Sequence, residues 1–282
     1  MSRVLIVGAG LTGSLCACLL RRELQNKSSG ESSRNSPGIN EFLHRAAERG
    51  ILKPRTVYRR STTQSDNRNY ITPLGMSSVV NTSCLSQVST SCSWCRVFQK
   101  QGDSKTFDAV VLTMPVPQIL QLQGDLGNVL SVQQRSHLDT VVYSSRFAVA
   151  LFFSPDVVLN FPWAARYVSD NQCIRYIAVE PRKSNTGQCS GVGPSLVVHT
   201  SVPFGVEHLE QEKDLPPGLP QPISIKCQKW RYSQTYSAGL SGHMTVLERP
   251  LLVCGGDAFS HSNFDGCVES ALSVLRVLTA SL

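Results

Sequence analysis

The sequence lacks any apolar run long enough to cross a membrane. None of its 282 residues belongs to a stretch approaching the ~18–20 apolar residues that a spanning helix needs. The apolar opening of residues 1–20 is interrupted by glycines where a signal peptide would carry its apolar core. We therefore expect neither a membrane span nor a cleavable signal peptide, which on sequence alone indicates a cytoplasmic protein.

The cysteines lack the spacing of a metal site. The chain has ten of them but a single CxxC, Cys92 and Cys95, and it contains no HxxxH. A structural zinc site needs a second ligand pair. Cysteines such as Cys16, Cys18 and Cys254 fall in predicted helices and strands, which is typical of small buried side chains in a reducing compartment. We predict no metal site and leave the role of the CxxC pair open.

Basic residues are in excess over acidic ones, but they do not form a single block in the sequence. There are 27 Lys and Arg against 20 Asp and Glu, and seven of the basic residues lie between Glu41 and Arg68 beside three acids. A solvated helix and loop explains such a stretch, and a patch for an anionic partner is the alternative. No nucleic-acid module is present in the sequence, so we expect no nucleic-acid partner.

The N-terminus combines a strand, a glycine turn and a helix. Residues 3–7 read RVLIV, then Gly8, Gly10 and Gly13 form GxGxxG, and apolar residues at helical spacing follow. In this context Gly8 makes the tight turn, Gly10 lets a diphosphate approach the backbone and Gly13 lets the helix pack on the strand. We expect the start of the helix to hold the diphosphate and Thr12 to add a hydroxyl hydrogen bond. A glycine turn that binds nothing is the alternative for this motif.

The second strand of a dinucleotide-binding unit is missing. The motif requires an Asp or Glu about 20 residues further on, which binds the ribose hydroxyls. Glu31 has a suitable distance, but it lies in the Ser-rich segment 27–37, with no strand before it. The N-terminal unit is therefore expected to be incomplete.

The C-terminus carries a second strand–turn–helix. Residues 251–254 form an apolar run, Gly255, Gly256 and Asp257 follow, and a helix with one apolar face closes the chain. Asp257 could accept a hydrogen bond from a sugar or ribityl hydroxyl. An ordinary Gly-Asp turn is the alternative for this segment alone. The two motifs together indicate a dinucleotide cofactor.

Several segments resemble the renalase family, a group of FAD-dependent oxidases in the amine-oxidase-like flavoprotein superfamily. They are VLIVGAGLTGSLCACLLRR, FDAVVLTMPVPQILQLQGD, SLVVHTSVPFGVEHLE, KCQKWRYSQ and CGGDAFSHSNFDGCVESAL. The resemblance implies an α/β fold with a Rossmann-like FAD-binding domain and a mixed-sheet substrate domain. It also implies that Gly8, Gly10, Thr12, Gly13, Gly256 and Asp257 contact FAD.

The activity that this resemblance implies is oxidation of the 2- and 6-dihydro forms of NAD(P)H to NAD(P)+. A hydride passes to the flavin, and O2 reoxidises the flavin with formation of hydrogen peroxide. The implied partners are a small dihydronicotinamide and O2, and the implied state is a monomer. Hydride transfer requires positioning and exclusion of water rather than a side-chain nucleophile, so the absence of a Ser/His/Asp arrangement is no objection.

Four residues are candidates for the face that meets the substrate. Trp230, Tyr143 and His199 have rings that can stack on a nicotinamide, and Arg231 follows Trp230 directly. For His199 and Tyr143, packing within the fold is the alternative.

The resemblance also predicts the domain limits. Residues 1–80 are the N-terminal part of the FAD-binding domain, 81–106 an irregular part of it, and 107–125 its continuation. Residues 126–249 form the substrate domain, and 250–282 complete the FAD-binding domain.

Three regions depart from the family pattern, one of them around Glu210–Asp214, where a helix of the substrate domain is cut short. Leu24 to Asn40 replaces the second strand and its GGR-type turn, and a Ser- and Cys-rich stretch replaces a helix and strand near residues 81–95. These departures predict a variant that lacks parts of the FAD domain. The alternative function is therefore a catalytically impaired splice form or pseudo-enzyme that binds a partner. Localisation stays open between cytoplasmic, from the sequence, and secreted, from the family.

Overall fold

The computed structural model describes ten stretches of the chain. They are residues 3–8, 10–29, 53–55, 69–71, 85–90, 94–99, 104–180, 193–208, 222–236 and 241–281. The Ser-rich segment 27–37 is predicted from its composition to be a loop, but residues 27–29 belong to the helix Leu11–Ser29, and 30–37 lie outside the described residues. Residues 41–50, predicted to form a short helix, lie outside them too, as do most of the basic stretch, Cys84 and Cys92.

Fifteen strands are present in the described residues. They are β1 (Val4–Val7), β2 (Lys53–Arg55), β3 (Asn69–Ile71), β4 (Leu85–Thr90), β5 (Cys95–Gln99), β6 (Ser104–Phe107), β7 (Ala109–Leu112), β8 (Gln123–Gly124), β9 (Tyr143–Phe152), β10 (Ala165–Tyr167), β11 (Ile174–Glu180), β12 (Ser195–Thr200), β13 (Ser224–Thr235), β14 (His243–Glu248) and β15 (Leu251–Gly255).

Six α-helices accompany these strands in the same part of the chain. They are α1 (Leu11–Ser29), α2 (Val116–Leu120), α3 (Leu126–Val129), α4 (Val132–Asp139), α5 (Val202–Glu207) and α6 (Phe264–Ser281). A short 3-10 helix, Asp257–Phe259, lies between β15 and α6.

The chain divides into two compact units. Unit 1 comprises Met1–Ile39, Ser77–Val142 and Gln234–Leu282, and unit 2 comprises Asn40–Met76 and Tyr143–Ser233. The second unit therefore begins and ends at other positions than the predicted substrate domain, 126–249. Assignment of FAD binding to one unit and substrate binding to the other stays a prediction.

The central sheet of unit 1 has the strand order β1-β7-β15-β14. β1 is parallel to β7, β7 is parallel to β15, and β14 is antiparallel to β15. β7 and β15 are buried along their whole length, which explains their continuous runs AVVL and LLVC, since a strand covered on both faces has no polar side. The predicted strands at 3–7, 108–112 and 251–254 are confirmed.

The first and last helices of the chain pack against each other in unit 1. The Cys16 Sγ lies 3.9 Å from the Ala271 carbonyl oxygen, and Leu15, Val268 and Leu275 are buried. The apolar face predicted for the closing helix is present. The Cys18 side chain, predicted to be buried, is exposed on the other side of α1.

The interpretation of 81–106 as irregular is wrong for the described residues of that segment. They form β4, β5 and part of β6, which continue into a four-stranded sheet of order β6-β5-β4-β8. Cys95 and Val97 are buried while Arg96 between them is exposed, which is the alternation of a half-buried strand. The residues of β4 are mostly polar and show no such alternation in the sequence. Pairing with β5 stabilises β4 as a strand, although its residues do not favour one by themselves.

Unit 2 is built on a five-stranded sheet with the order β10-β11-β12-β9-β13. The pairs β10–β11, β11–β12 and β12–β9 are antiparallel. On one face Leu151, Val179 and Leu196 join Phe153 and Leu159 in an apolar cluster. The sequence patterns at 141–153, 174–179, 195–201 and 223–230 are typical of strands, and strands are present there with ends that differ by at most five residues.

No helix among the described residues is both long and apolar enough to cross a bilayer.

Candidate functional site

Three parallel strands of unit 1 end at the same edge of the sheet. Val7 of β1 stands beside Leu112 of β7, and Leu112 stands beside Cys254 of β15. The residues that follow are therefore neighbours at the carboxyl edge, which is where open α/β sheets bind their ligands. This register brings together the two motifs that lie at opposite ends of the sequence.

The first turn is a close fit around Gly8 and Gly13. Gly8 has φ +116°, a conformation that side chains disfavour. A methyl group placed on Gly13 would overlap the Gly8 carbonyl oxygen and lie 2.6 Å from the Thr113 Oγ1. Both positions therefore require glycine for the turn itself, before any ligand is considered.

Gly10 differs from its two neighbours in the motif. No atom of the described residues lies within 4 Å of a methyl group placed there. Gly10 is exposed, and α1 begins at the next residue, so the N–H groups of its first turn have no partner within the helix. Backbone donors at the positive end of a helix, beside the open space at Gly10, fit a diphosphate.

The sequence predicts that the Thr12 hydroxyl turns toward the ligand, but in the structure this hydroxyl bonds to the last helix. The Thr12 side chain is 4% exposed, and its hydroxyl donates to the Cys267 carbonyl oxygen over 3.4 Å. The residue therefore joins α1 to α6. A contact between Thr12 and a cofactor stays a prediction.

In the second turn, two successive hydrogen bonds through Ser262 hold the Asp257 side chain. Gly256 has φ +128°, and Asp257 directly after it begins the 3-10 helix. The Ser262 hydroxyl donates to the Asp257 Oδ2 over 2.9 Å, and the same hydroxyl oxygen accepts from the Thr235 N–H, also at 2.9 Å. The Asp257 carboxylate is thus held in one orientation, with its other oxygen available to accept a hydroxyl.

Thr113 lies between the two turns, and the sequence analysis did not select it. Its N–H donates to the Val7 carbonyl oxygen at 2.7 Å, and its hydroxyl lies 3.0 Å from the same oxygen and 3.3 Å from that of Gly8. A methyl group on Gly256 would have the Thr113 carbonyl oxygen 3.7 Å away. The available signal was its position, the first residue beyond a buried central strand.

We expect Thr113→Val to lower the free energy of unfolding by about 1 kcal/mol, because valine keeps the shape but cannot donate to the Val7 and Gly8 carbonyls. Urea unfolding of the cofactor-free protein measures this. Thr140→Val is the control, since its hydroxyl donates to the His137 carbonyl at an exposed helix end. Equal losses in the two variants would contradict a special role for Thr113.

Two of the four candidate substrate residues meet on the sheet of unit 2. The ring centroids of His199 and Trp230 lie 4.9 Å apart in an edge-to-face arrangement. Tyr176 lies 5.3 Å from His199, and Tyr167 lies 5.1 Å from Tyr176. These four rings form a ladder across the sheet, which we call the ring ladder. Small Ala148 of β9 stands opposite His199, which leaves room for the Trp230 ring.

The other two candidates, Tyr143 and Arg231, belong to β9 and β13. Tyr143 packs edge-to-face on Tyr232, with centroids 5.4 Å apart. Arg231 follows Trp230 in β13, and consecutive side chains of a strand point to opposite faces. The side chains of Trp230 and Arg231 therefore leave the strand on opposite faces, and their roles toward a substrate stay predictions.

Cys95 of the CxxC pair is a buried thiol. It has no exposed surface, and burial raises its pKa to about 11, so the nucleophilic thiolate is scarce at neutral pH. No group of three or more His, Cys, Asp or Glu among the described residues could hold a metal ion.

The residues at the carboxyl edge of unit 1 fit the diphosphate and ribityl part of FAD. The open space at Gly10 and the fixed Asp257 carboxylate are suited to these two groups. β1 is at the edge of its sheet in the described part of the chain, so no described strand offers an acid for the adenosine ribose. Glu31, the residue with a suitable distance, lies outside the described residues.

Comparisons with known proteins agree with this architecture. The chain is 38% identical to mouse renalase over 339 residues, and the alignment covers 99% of each protein. The alignment has 339 positions and this chain has 282 residues, so at least 57 residues of mouse renalase have no counterpart in this chain. This agrees with the departures noted in the sequence, which predict a chain that lacks parts present in the family. No family model matches the chain.

Solved structures share the fold at low sequence identity. A candidate protoporphyrinogen oxidase from Exiguobacterium matches with a TM-score of 0.54 and 15% identity, covering 76% of this chain and 52% of its own. A triple mutant of putrescine oxidase matches with a TM-score of 0.51 and 12% identity, covering 71% and 49%. The chain thus spans about half the length of these structures. The similarity confirms the amine-oxidase-like α/β fold class.

The identity to mouse renalase, its extent along both chains and the shared fold point to one assignment. The resemblance noted from the sequence segments is confirmed, and with it the FAD cofactor that the resemblance implied. The chain belongs to the renalase family of FAD-dependent flavoproteins.

Proposed function

We propose that this chain is an FAD-dependent oxidase of the 2- and 6-dihydro forms of NAD(P)H, producing NAD(P)+ and hydrogen peroxide. The observation that carries the proposal is the meeting of the Gly8 turn and the Gly256 turn at one sheet edge, on either side of Thr113. Sequence motifs from both ends of the chain are thereby available to a single extended cofactor. Family membership supports the same reading.

The residues of unit 1 bind and orient the cofactor in this proposal. The first N–H groups of α1, in front of Gly10, hold the diphosphate, and the Asp257 carboxylate accepts a ribityl hydroxyl. The chemistry that FAD would supply there is acceptance of a hydride from the dihydronicotinamide and return of its two electrons and its proton to O2, with one further proton from solvent completing hydrogen peroxide. Gly10 and Asp257 are thus binding residues.

The ring ladder orients the substrate in this proposal. The indole of Trp230 is 40% exposed, and an exposed aromatic face can stack on a nicotinamide ring. The His199 ring holds the indole edge-to-face and limits its rotation. Hydride transfer depends on alignment of donor and acceptor, which a ring with one preferred orientation provides.

A peroxide assay tests the proposed activity. Purified protein is reconstituted with FAD, its bound flavin is verified by visible absorbance, and each dihydro-NAD(P) isomer is added in air. We expect hydrogen peroxide and NAD(P)+ in equal amounts. Full flavin occupancy without peroxide from either isomer would reject the substrate, and failure to retain FAD would reject the cofactor site.

A second candidate function is a pseudo-enzyme that works by binding a partner. The 57 or more positions without a counterpart favour it, because the adenosine half of the cofactor has no holder among the described residues. This function predicts a folded protein with neither bound flavin nor peroxide production.

Asp257→Ala distinguishes a site that binds FAD through both turns from a site that binds NAD+ through the first turn alone. We expect the dissociation constant for FAD to rise at least about tenfold, because a hydrogen bond to a charged group contributes roughly 1.5–3 kcal/mol. Affinity for NAD+ should stay the same. Asp139→Ala is the charge-matched control on an exposed helix. An unchanged FAD constant would remove Asp257 from the site.

A further inference from the structure

The hairpin of β14 and β15 opens at the point where the proposed FAD site begins. The last pair of its ladder is His243 with Gly255. The next two residues, Gly242 and Gly256, would form the following pair if the strands continued. Instead both have positive φ, +75° and +128°, and Gly256 turns away into the 3-10 helix that starts with Asp257.

A hydroxyl from the last helix fills the opening. The Ser270 Oγ of α6 accepts from the Gly256 N–H at 2.8 Å and donates to the Gly242 carbonyl oxygen at 2.6 Å. Ser270 has no exposed surface, so water does not compete for these groups. The missing ladder pair is thus replaced by one side-chain atom that binds both strands.

The remaining backbone groups fix how far the strands separate. The Gly242 N–H donates to the Phe259 carbonyl oxygen at 2.7 Å, at the end of the 3-10 helix. A methyl group on Gly255 would lie 3.2 Å from the Ser270 Oγ, so the hydroxyl packs directly under the turn. Gly256 cannot shift toward β14 without displacing Ser270, nor away from it without losing the hydrogen bond.

We propose that Ser270 is a positioning residue for flavin binding, which acts through Gly256 to place Asp257. The inference rests on the proposed FAD site. The Ser270 hydroxyl hydrogen-bonds to the backbone of Gly256 and Gly242, and its effect on the cofactor comes from the direction in which the chain leaves β15. A purely structural serine would satisfy the same two buried groups without any influence on the cofactor.

Ser270→Ala tests the inference in the full-length protein, with Ser273→Ala as control. Ser273 lies nearly one turn further along α6, and its hydroxyl contacts the His243 Nδ1 and the Ser241 carbonyl rather than the Gly256 turn. We expect Ser270→Ala to raise the FAD dissociation constant about tenfold and Ser273→Ala to change it less than about twofold. Flavin fluorescence titration of the cofactor-free protein measures both.

Amide hydrogen exchange without FAD gives a second readout. Loss of the Ser270 acceptor should speed exchange at the Gly256 N–H and leave the buried β15 amides unchanged. If Gly256 exchanges faster while FAD binds as in the parent protein, the serine is structural and the inference fails. If the parent protein itself binds no FAD, the proposed function fails instead, and the two failures are distinguished.

A double-mutant cycle with Asp257→Ala completes the test. If Ser270 acts by placing Asp257, Ser270→Ala should weaken FAD binding little further once Asp257 is absent. Equal losses in both backgrounds would overturn the inference. Ser270→Cys, which is close in size and keeps a weak acceptor, should bind FAD with intermediate affinity, and it replaces the alanine variant if that one does not fold.

Discussion

Gly10→Ala is expected to lower FAD affinity by roughly 5- to 150-fold, since a methyl in the path of a close ligand costs roughly 1–3 kcal/mol. The new methyl group would meet no described atom of the protein, so its cost falls on the ligand alone. Stability of the cofactor-free chain should stay the same or rise slightly, because alanine restricts the unfolded chain. FAD titration and urea unfolding of one preparation measure both quantities.

Gly13→Ala is the matched control, with the same chemical change three residues along. Its methyl would overlap the Gly8 carbonyl oxygen and approach the Thr113 Oγ1 at 2.6 Å. We therefore expect Gly13→Ala to unfold at clearly lower urea, or not to fold, whereas Gly10→Ala behaves as the parent protein. If Gly10→Ala retains parental FAD affinity, the diphosphate does not bind in front of α1.

Trp230→Ala is expected to reduce kcat/KM for the dihydronicotinamide by roughly 10- to 100-fold, the range for loss of one aromatic stack. The side chain is 40% exposed, so the fold should survive its removal. Trp230→Phe should recover most of the activity, because it restores a stacking face. Steady-state peroxide production at several substrate concentrations separates KM from kcat.

Tyr167→Ala is the control for this second prediction. Tyr167 is 44% exposed and belongs to the same ring ladder, but its strand β10 is at the opposite edge of the sheet from β13. A substrate that stacks on Trp230 should tolerate the loss of Tyr167 with less than about a threefold change, within the range of an exposed side chain. Equal losses in the two variants would mean that the ladder contributes by packing alone.

The sequence was most informative where a local pattern matched a local structure. A β-branched run, three spaced glycines and a helical period predicted β1, its turn and α1, because each residue acts on its own backbone. The same holds for β15 and α6. The central strands were found because a strand buried on both faces needs an uninterrupted apolar run.

Features that depend on distant contacts were not found. Thr113 and Ser270 are hydroxyl residues in unremarkable local sequence, and their partners lie 106 and 28 residues away. Adjacency in sequence does not by itself pair Trp230 with Arg231, since consecutive side chains of a strand point to opposite faces. By contrast, His199 and Trp230 meet across β9, a contact that only the strand order of the sheet determines.

The ring ladder gives the protein a spectroscopic probe of its own. Of the three tryptophans, Trp163 packs against the core of unit 2 and Trp94 lies under the Arg96 guanidinium, whereas Trp230 is exposed. Indole emission depends on what touches the ring. The difference between the emission of the parent protein and that of Trp230→Phe therefore isolates one side chain, and a titration followed by this signal would detect a nicotinamide even in protein that carries no flavin.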